Sequence, residues 1–316
     1  MKRKEGETLT KKGRNQNKTQ SRLFVFSMLA LPTIGFLVFY VYVHLDSFLM
    51  SFQTPVYTEK GLEEVFSLIN YQRIFQAGGA EIKELLIALR NTLLFFVADL
   101  LIVYPISVFM CYFFYKKIAG YRFFRFVYYL PTIISSSVLV ILFKYTIGAG
   151  GILDHFVSAQ GGTFVSPLTK DPGALITILF YSIAFGFAGN IIVLGGSMNG
   201  INSEVLEAGQ LDGCNWFQEL VLLVVPMMWP TISTMLILKC AGILSASGPI
   251  LAFTKGANGT MTLSYLLYAL VSGEGKSQDL YYASAVGLLM TLVVFPVTML
   301  VKHFVYSDKK EEADAL

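Results

Sequence analysis

Residues Glu207–Pro230 read EAGQLDGCNWFQELVLLVVPMMWP, an acidic, polar stretch that passes without a break into apolar residues and then meets Pro226 and Pro230. Its second half belongs to a run, Leu220–Leu244, of the length a helix needs to cross about 30 Å of hydrocarbon. Working outward, five further runs of this kind follow: Leu23–Leu45, Thr92–Tyr115, Phe123–Ile147, Ala174–Met198 and Tyr281–Phe304. None shows the period-two alternation of barrel strands, and backbone polar groups in lipid must be satisfied within the segment, so helices are the expected form. Hydrophobic residues make up 54% of the chain and charged ones only 14%, against about 25% charged in soluble domains. The fold class expected is therefore an all-α polytopic membrane protein of six transmembrane helices.

Basic residues fix the expected orientation. They cluster in the N-terminal tail (Lys2, Arg3, Lys4, Lys11, Lys12, Arg14, Lys18, Arg22), after the second run (Lys116, Lys117, Arg122) and at the C-terminal end (Lys302, Lys309, Lys310). With six spans all three clusters fall on one side, which the positive-inside rule makes cytoplasmic. This divides the chain into a basic cytoplasmic tail at 1–22, a membrane domain at 23–304 and a cytoplasmic C-terminal tail at 305–316. The other side receives the acidic-leaning segment Asp46–Arg90 and two Gly-rich loops, Gly148–Gly173 and Gly248–Asp279, which suit either docking to an extracytoplasmic protein or a solvated linker role. The first run is too long for a signal h-region and lacks a small-x-small cleavage pattern, so it is expected to stay as an anchor. Cys111, Cys214 and Cys240 read as small apolar fillers without a disulfide.

The opening stretch breaks the charge rule. Gly200–Glu219 sits on the side where bases are favoured, yet it holds Glu204, Glu207, Asp212 and Glu219 and no Lys or Arg. Asn202 or Ser203 can cap a short helix whose first turns carry Glu204 and Glu207, with Val205, Leu206, Ala208 and Leu211 as an apolar side and Asp212-Gly213 as its turn. Membrane-surface helices prefer Lys and Arg, and anionic lipid repels this one. A docking element for a cytoplasmic protein and an ordinary loop are the readings left.

Those residues resemble the EAA motif of binding-protein-dependent ABC importer permeases. Glu207, Ala208, Asp212, Gly213 and Pro226 stand in register, while Gly209 and Cys214 replace the usual alanines and Leu220 the usual Phe. The chain also resembles the sugar-permease branch through LDSFLMSF (45–52), INYQRIF (69–75), LRNTLLFF (89–96), FRFVYYLPTIISSSV (124–138), SGPILAF (247–253) and YYASAVGLLMTLVVFP (281–296). The first and second of these resemble the first permease subunit of lactose, glycerol-3-phosphate and maltose importers. The resemblance implies a type I ABC importer permease fold, with the EAA loop at about 200–226 forming a coupling helix. It implies a bacterial or archaeal cytoplasmic membrane and four kinds of partner: a second permease, two cytoplasmic ATP-binding subunits, an extracytoplasmic solute-binding protein and a sugar. Glu204, Glu207, Ala208, Asp212 and Gly213 are then the expected ATPase-coupling residues and Pro226 the hinge.

Nothing in the chain is expected to bind nucleotide, metal, cofactor or nucleic acid. GEGKS at Gly273–Ser277 mimics a phosphate loop, but the required first glycine position is Leu270. His44, His155 and His303 lie at the ends of spans or outside them and form no metal or catalytic cluster, which argues against an intramembrane enzyme, and Asp99 alone is thin support for an ion-coupled transporter. Asp99, Lys144, Asn190 and Lys239 are costly in hydrocarbon and should face a bundle interior, cavity or interface. Lys144 is expected to snorkel; Asp99 is expected to pair with Lys239 or with a charge on another subunit. Tyr181, Ser182, Phe185, Asn190, Lys239, Ser245 and Ser247 are candidates for a solute path, and Gly186, Gly189, Gly196 and Gly200 for close helix approach. A neutral, aromatic-rich path leans toward an oligosaccharide, with glycerol phosphate or another small polar solute as the alternative.

Overall fold

The computed structural model describes residues 24–58, 61–76 and 79–314, so the basic tail from Lys2 to Arg22 lies outside the described residues. Among the described residues, six helical stretches are long and apolar enough to cross a membrane: Phe24–Ser51, Ala80–Tyr115, Ser136–Ala159, Gly173–Met198, Trp216–Ala241 and Leu280–Val305. The chain divides into two units.

The smaller unit holds residues 24–70 and 280–285 among those described. Helix α1 (Phe24–Ser51) runs on past the expected end at Leu45 and leads into an antiparallel hairpin of β1 (Gln53–Thr58) and β2 (Gly61–Phe66), in register from Gln53↔Phe66 to Thr58↔Gly61. This hairpin departs from the all-helical expectation. Its ends are fixed by Asn70, whose buried Nδ2 donates to the Gln53 carbonyl at 2.9 Å, and by Phe52 stacking on Phe66 at 6.0 Å. Tyr281 Oη donates to Glu64 Oε1 at 2.9 Å.

The larger unit begins within α2 (Ile69–Phe75) and contains α3 (Ala80–Tyr115), α4 (Tyr121–Ile133), α5 (Ser136–Ile147), α6 (Ile152–Ala159), α7 (Gly173–Met198), α8 (Ser203–Leu211), α9 (Trp216–Ala241), α10 (Ile250–Phe253), α11 (Leu263–Ser272) and most of α12 (Leu280–Asp314). Helix α3 starts well before Thr92, because Leu85, Ala88 and Phe95 continue one buried face through the charged turns of AEIKELLIALR. The third run is not the single helix Phe123–Ile147. Pro131 lacks a backbone donor and Ile134-Ser135 are extended, so α4 and α5 are separate. Two π turns, Asp99–Val103 in α3 and Glu219–Val224 in α9, each stand just before a proline, Pro105 and Pro226. A π turn shifts the backbone pairing where the proline ring crowds the preceding carbonyl and offers no N–H, so both helices stay continuous.

Two apolar cores stand out among the described residues. Tyr104, Val108, Tyr112, Leu194, Met198, Leu206, Val224 and Met228 gather the end of α3, the end of α7, α8 and the start of α9. Phe95, Val140, Ile178, Tyr181, Phe253, Tyr265 and Ala269 gather the other halves of α3 and α7 with α5, α10 and α11.

Gly248–Asp279 is no solvated linker. Its helix α11 is buried at Leu263, Leu266 and Ala269, and buried Thr92 and Asn91 of α3 hold the turn that starts it. Thr92 Oγ1 accepts from the Leu263 N–H at 2.9 Å, while Asn91 Nδ2 donates to the carbonyls of Gly259 and Met261 at 2.8 and 2.7 Å. The GEGKS segment closes this helix: Gly273 supplies the left-handed C-cap at φ +74° and Lys276 forms an ion pair with Glu84. Arg73 adds a clamp to Glu81 at 2.7 Å and Asp279 at 2.8 Å, which raises its pKa further above its ordinary value, chiefly through the Glu81 hydrogen bond. The Lys144 ammonium, in the last turn of α5, donates to the Ala252 carbonyl at 3.0 Å. Of the glycines expected to allow close helix approach, Gly186 has Val103 3.6 Å from where a Cβ would sit, whereas Gly189 and Gly196 have no heavy atom of this chain within 4 Å. A distance of 3.6 Å is ordinary packing, so none of these three positions shows, among the described residues, a close approach that a methyl group would block.

Candidate functional site

The acidic loop folds as α8. Asn202 caps it by accepting from the Glu204 N–H at 3.0 Å, and Gly213 ends it at φ +83°. The Gly213 N–H reaches the Gln210 carbonyl at 3.1 Å and the Cys214 N–H the Gly209 carbonyl at 3.0 Å, the paired bonds of a Schellman motif. Asn215 then starts α9 with a capping box to Gln218. The Asn-x-x-Gln spacing of Asn215 and Gln218 is the local sequence signal for this second cap.

The apolar side expected from Val205, Leu206, Ala208 and Leu211 splits. Leu206 and Gly209, three apart, face the core, while Val205, Ala208 and Leu211 are exposed, Leu211 to 89%. Glu204, Glu207, Ala208 and Leu211 stand at i, i+3, i+4 and i+7 and form one outward stripe, with Asp212 and Gly213 exposed at its end. Gly209 sits where a Cβ would come within 2.5 Å of Leu223 Cδ1, so the departure from alanine lets α8 approach the π turn of α9 more closely. Gly209→Ala is expected to push Leu223 to another rotamer and lower the thermal midpoint in detergent. Leu223→Ala should restore it in the double variant.

One of the four acids is buried and the other three are exposed. Glu219 is 2% exposed, its Oε1 lies 2.5 Å from Lys116 Nζ at the end of α3, and its Oε2 accepts from Gln210 Nε2 at 3.3 Å. Trp216 packs its ring on Phe109 and Phe113 of α3, with centroids 5.9 and 6.0 Å apart. The loop is thus fastened to α3 and runs directly into α9.

Between the two cores lies a cavity of about 490 Å³, walled by the middles of α3 and α7, the α4–α5 break and the chain after α9. It brings together Tyr181, Ser182, Phe185, Lys239, Ser245 and Ser247 from the sequence candidates, with Asp99 added. Asn190 is not among them; its Nδ2 donates to Ser107 Oγ at 3.4 Å across the α3–α7 contact. Lys239 pairs with Asp99. Tyr181 is mostly buried, its ring 4.7 Å from that of Phe185 and 5.0 Å from that of Phe253. The Ser182 hydroxyl has no partner among the described residues. Gly248, at φ +54°, leaves room here: a Cβ would fall 2.7 Å from Ser182 Oγ and 2.9 Å from Phe95 Cε1. Gly248→Ala should therefore cost about 1–3 kcal/mol for the left-handed backbone alone, read as a lower thermal midpoint against an unchanged Gly189→Ala. Cys111 is buried with its Sγ donating to the Ile191 carbonyl at 3.4 Å, and no cluster of His, Cys, Asp and Glu able to hold a metal occurs among the described residues.

No family model matches the chain. Among characterised proteins it is 31% identical over 188 residues to the multiple sugar-binding transport system permease protein MsmF of Streptococcus mutans, across 58% of this chain and 63% of that protein. It is 24% identical over 315 residues to the probable ABC transporter permease protein YurN of Bacillus subtilis, across 94% of this chain and 99% of that one. Its fold matches a chain in the crystal structure of a bacterial ABC transporter involved in the import of the acidic polysaccharide alginate, with a TM-score of 0.76 at 19% identity over 93% of this chain and 99% of that chain. The chain is thus an all-α polytopic protein that is similar in sequence to permeases of the ABC-importer class and shares the fold of that alginate-importer chain. Within that class it is homologous to sugar-transport permeases, and the stretch it shares with MsmF spans less than two thirds of that relative.

Proposed function

We propose that this chain is one permease subunit of a binding-protein-dependent ABC importer, that it forms half of the translocation path for a saccharide, and that it contains no ATPase of its own. The observation that carries this reading is α8: an outward stripe of Glu204, Glu207, Ala208 and Leu211 on a helix fastened to two membrane helices. Such a stripe offers acids and one large apolar side chain to a protein groove, and its rigid joints pass a push into α3 and α9. Asp212 and Gly213 shape its end, and Pro226, just past the π turn, is the hinge in this reading.

The chain is read with both termini and α8 in the cytoplasm of a bacterial or archaeal cell, following the basic residues at both ends and at Lys116 and Lys117. Its partners are a second permease, two cytoplasmic ATP-binding subunits and an extracytoplasmic solute-binding protein. Aromatic rings and hydroxyls around the cavity favour an oligosaccharide, in keeping with the names of the sugar permeases it resembles. The test is co-purification of the full chain with an ATPase and a second permease, followed by ATP hydrolysis in nanodiscs. Saccharide-loaded binding protein should stimulate hydrolysis; an assembly that lacks an ATPase, or one indifferent to the loaded binding protein, sinks the proposal.

A further inference from the structure

Among the described residues two charged side chains line the cavity, and they face each other. Lys239 Nζ contacts Asp99 Oδ2, and the same ammonium lies 5.8 Å from the centre of the Tyr104 ring. The pair is open to the cavity, not sealed away: the side chains are 21% and 35% exposed. The rest of the wall is aromatic, aliphatic and hydroxylic, with Ser182 Oγ still without a partner among the described residues.

We infer that the Asp99–Lys239 pair makes this cavity selective for uncharged saccharides, and that Asp99 is the residue that excludes uronates and sugar phosphates. The inference rests on the reading of the cavity as part of a saccharide path. A sugar hydroxyl both donates and accepts, so it can bond to the remaining lone pairs of Asp99 or the remaining N–H groups of Lys239 without parting them. An anionic solute must take Lys239 from Asp99 and then lies beside an unpaired carboxylate. One uncompensated charge within about 5 Å, at an effective dielectric constant of about 20, corresponds to roughly 100-fold in binding. The position of the pair supports this: Asp99 opens the π turn of α3 and Lys239 is in the last turn of α9, so each is carried by a helix already fixed at the α8 end.

The test uses the assembled transporter in nanodiscs without its solute-binding protein, so that the selection measured belongs to the membrane path. Saturation-transfer NMR would compare neutral pentasaccharides of glucose, galactose and arabinose with pentagalacturonate. Wild type should favour a neutral probe by at least about tenfold. Asp99→Asn should erase or reverse that preference, Lys239→Gln should sharpen it, and the swap Asp99→Lys with Lys239→Asp should restore it. The swap also covers a folding defect in either single variant, because it keeps the pair. Equal binding of neutral and acidic probes by wild type, or an unchanged ratio in both Asp99→Asn and Lys239→Gln, overturns the inference while leaving the saccharide path standing. Binding of no probe by wild type overturns the saccharide path and the inference with it.

Discussion

Glu207→Lys is expected to abolish stimulated ATP hydrolysis in the assembled transporter while leaving the chain folded. Glu207 is exposed in the middle of the α8 stripe, and it has no hydrogen bond or ion pair among the described residues. Reversal of a charge at the centre of a protein contact removes an attraction and installs a repulsion. Losses at such interface centres are about 2–4 kcal/mol, which is on the order of 30- to 1000-fold in affinity. The measurements are the amount of ATPase retained on purification, the stimulated rate and the thermal midpoint of the permease. A Glu207→Lys assembly with full stimulated hydrolysis would remove α8 as the coupling element.

The end of the same helix gives a sharper control. Gly213 has open space around the position of a Cβ, so any cost of replacing it comes from its φ of +83° and not from a clash. Gly213→Val is expected to unwind the Schellman turn and uncouple hydrolysis, whereas Gly213→Asn, which tolerates the left-handed region, should retain most of it. Equal activity for the two would mean that the turn conformation is irrelevant.

The contrast between Glu207 and Glu219 shows what the sequence carried and what it could not. Apolar runs of spanning length and the Asn202–Gly213 punctuation are local signals, and both became helices, although the second span starts at Ala80 and the third at Ser136, away from where the apolar runs place them. Burial is not local. All four acids from Glu204 to Glu219 look alike in a window that contains no base, and Glu219 differs only because α3 brings Lys116 to it from far away in the chain. The same limit explains α11: a Gly-rich composition suggests a linker, while buried Asn91 and Thr92 of α3 decide that the segment packs. The cavity residues Tyr181, Ser182 and Phe185 were legible because polar and aromatic groups in a span need an explanation. Asn190 met the same criterion and found its answer in a helix contact with Ser107.

Loss of the Lys116–Glu219 pair is the second large effect expected. Glu219→Leu leaves the Lys116 ammonium without its carboxylate and takes the Gln210 acceptor as well. Removing one member of a buried pair costs about 3–5 kcal/mol, and Lys116, 26% exposed, places this pair toward the lower end. Replacing both members by apolar side chains of similar size is often neutral, so Glu219→Leu with Lys116→Met should recover much of the thermal stability lost in Glu219→Leu alone. Coupling need not follow stability. If the pair transmits the push on α8 into α3, the double variant will be as stable as wild type yet hydrolyse ATP without moving solute in proportion, because the electrostatic tie between α3 and the start of α9 is gone and apolar contacts, such as Trp216 on Phe109 and Phe113, are what join them. Solute moved per ATP in proteoliposomes, set beside the thermal midpoint, separates these roles. A stable double variant with wild-type solute per ATP would show the pair to be structural only, and a Glu219→Leu variant as stable as wild type would show that the pair holds nothing together.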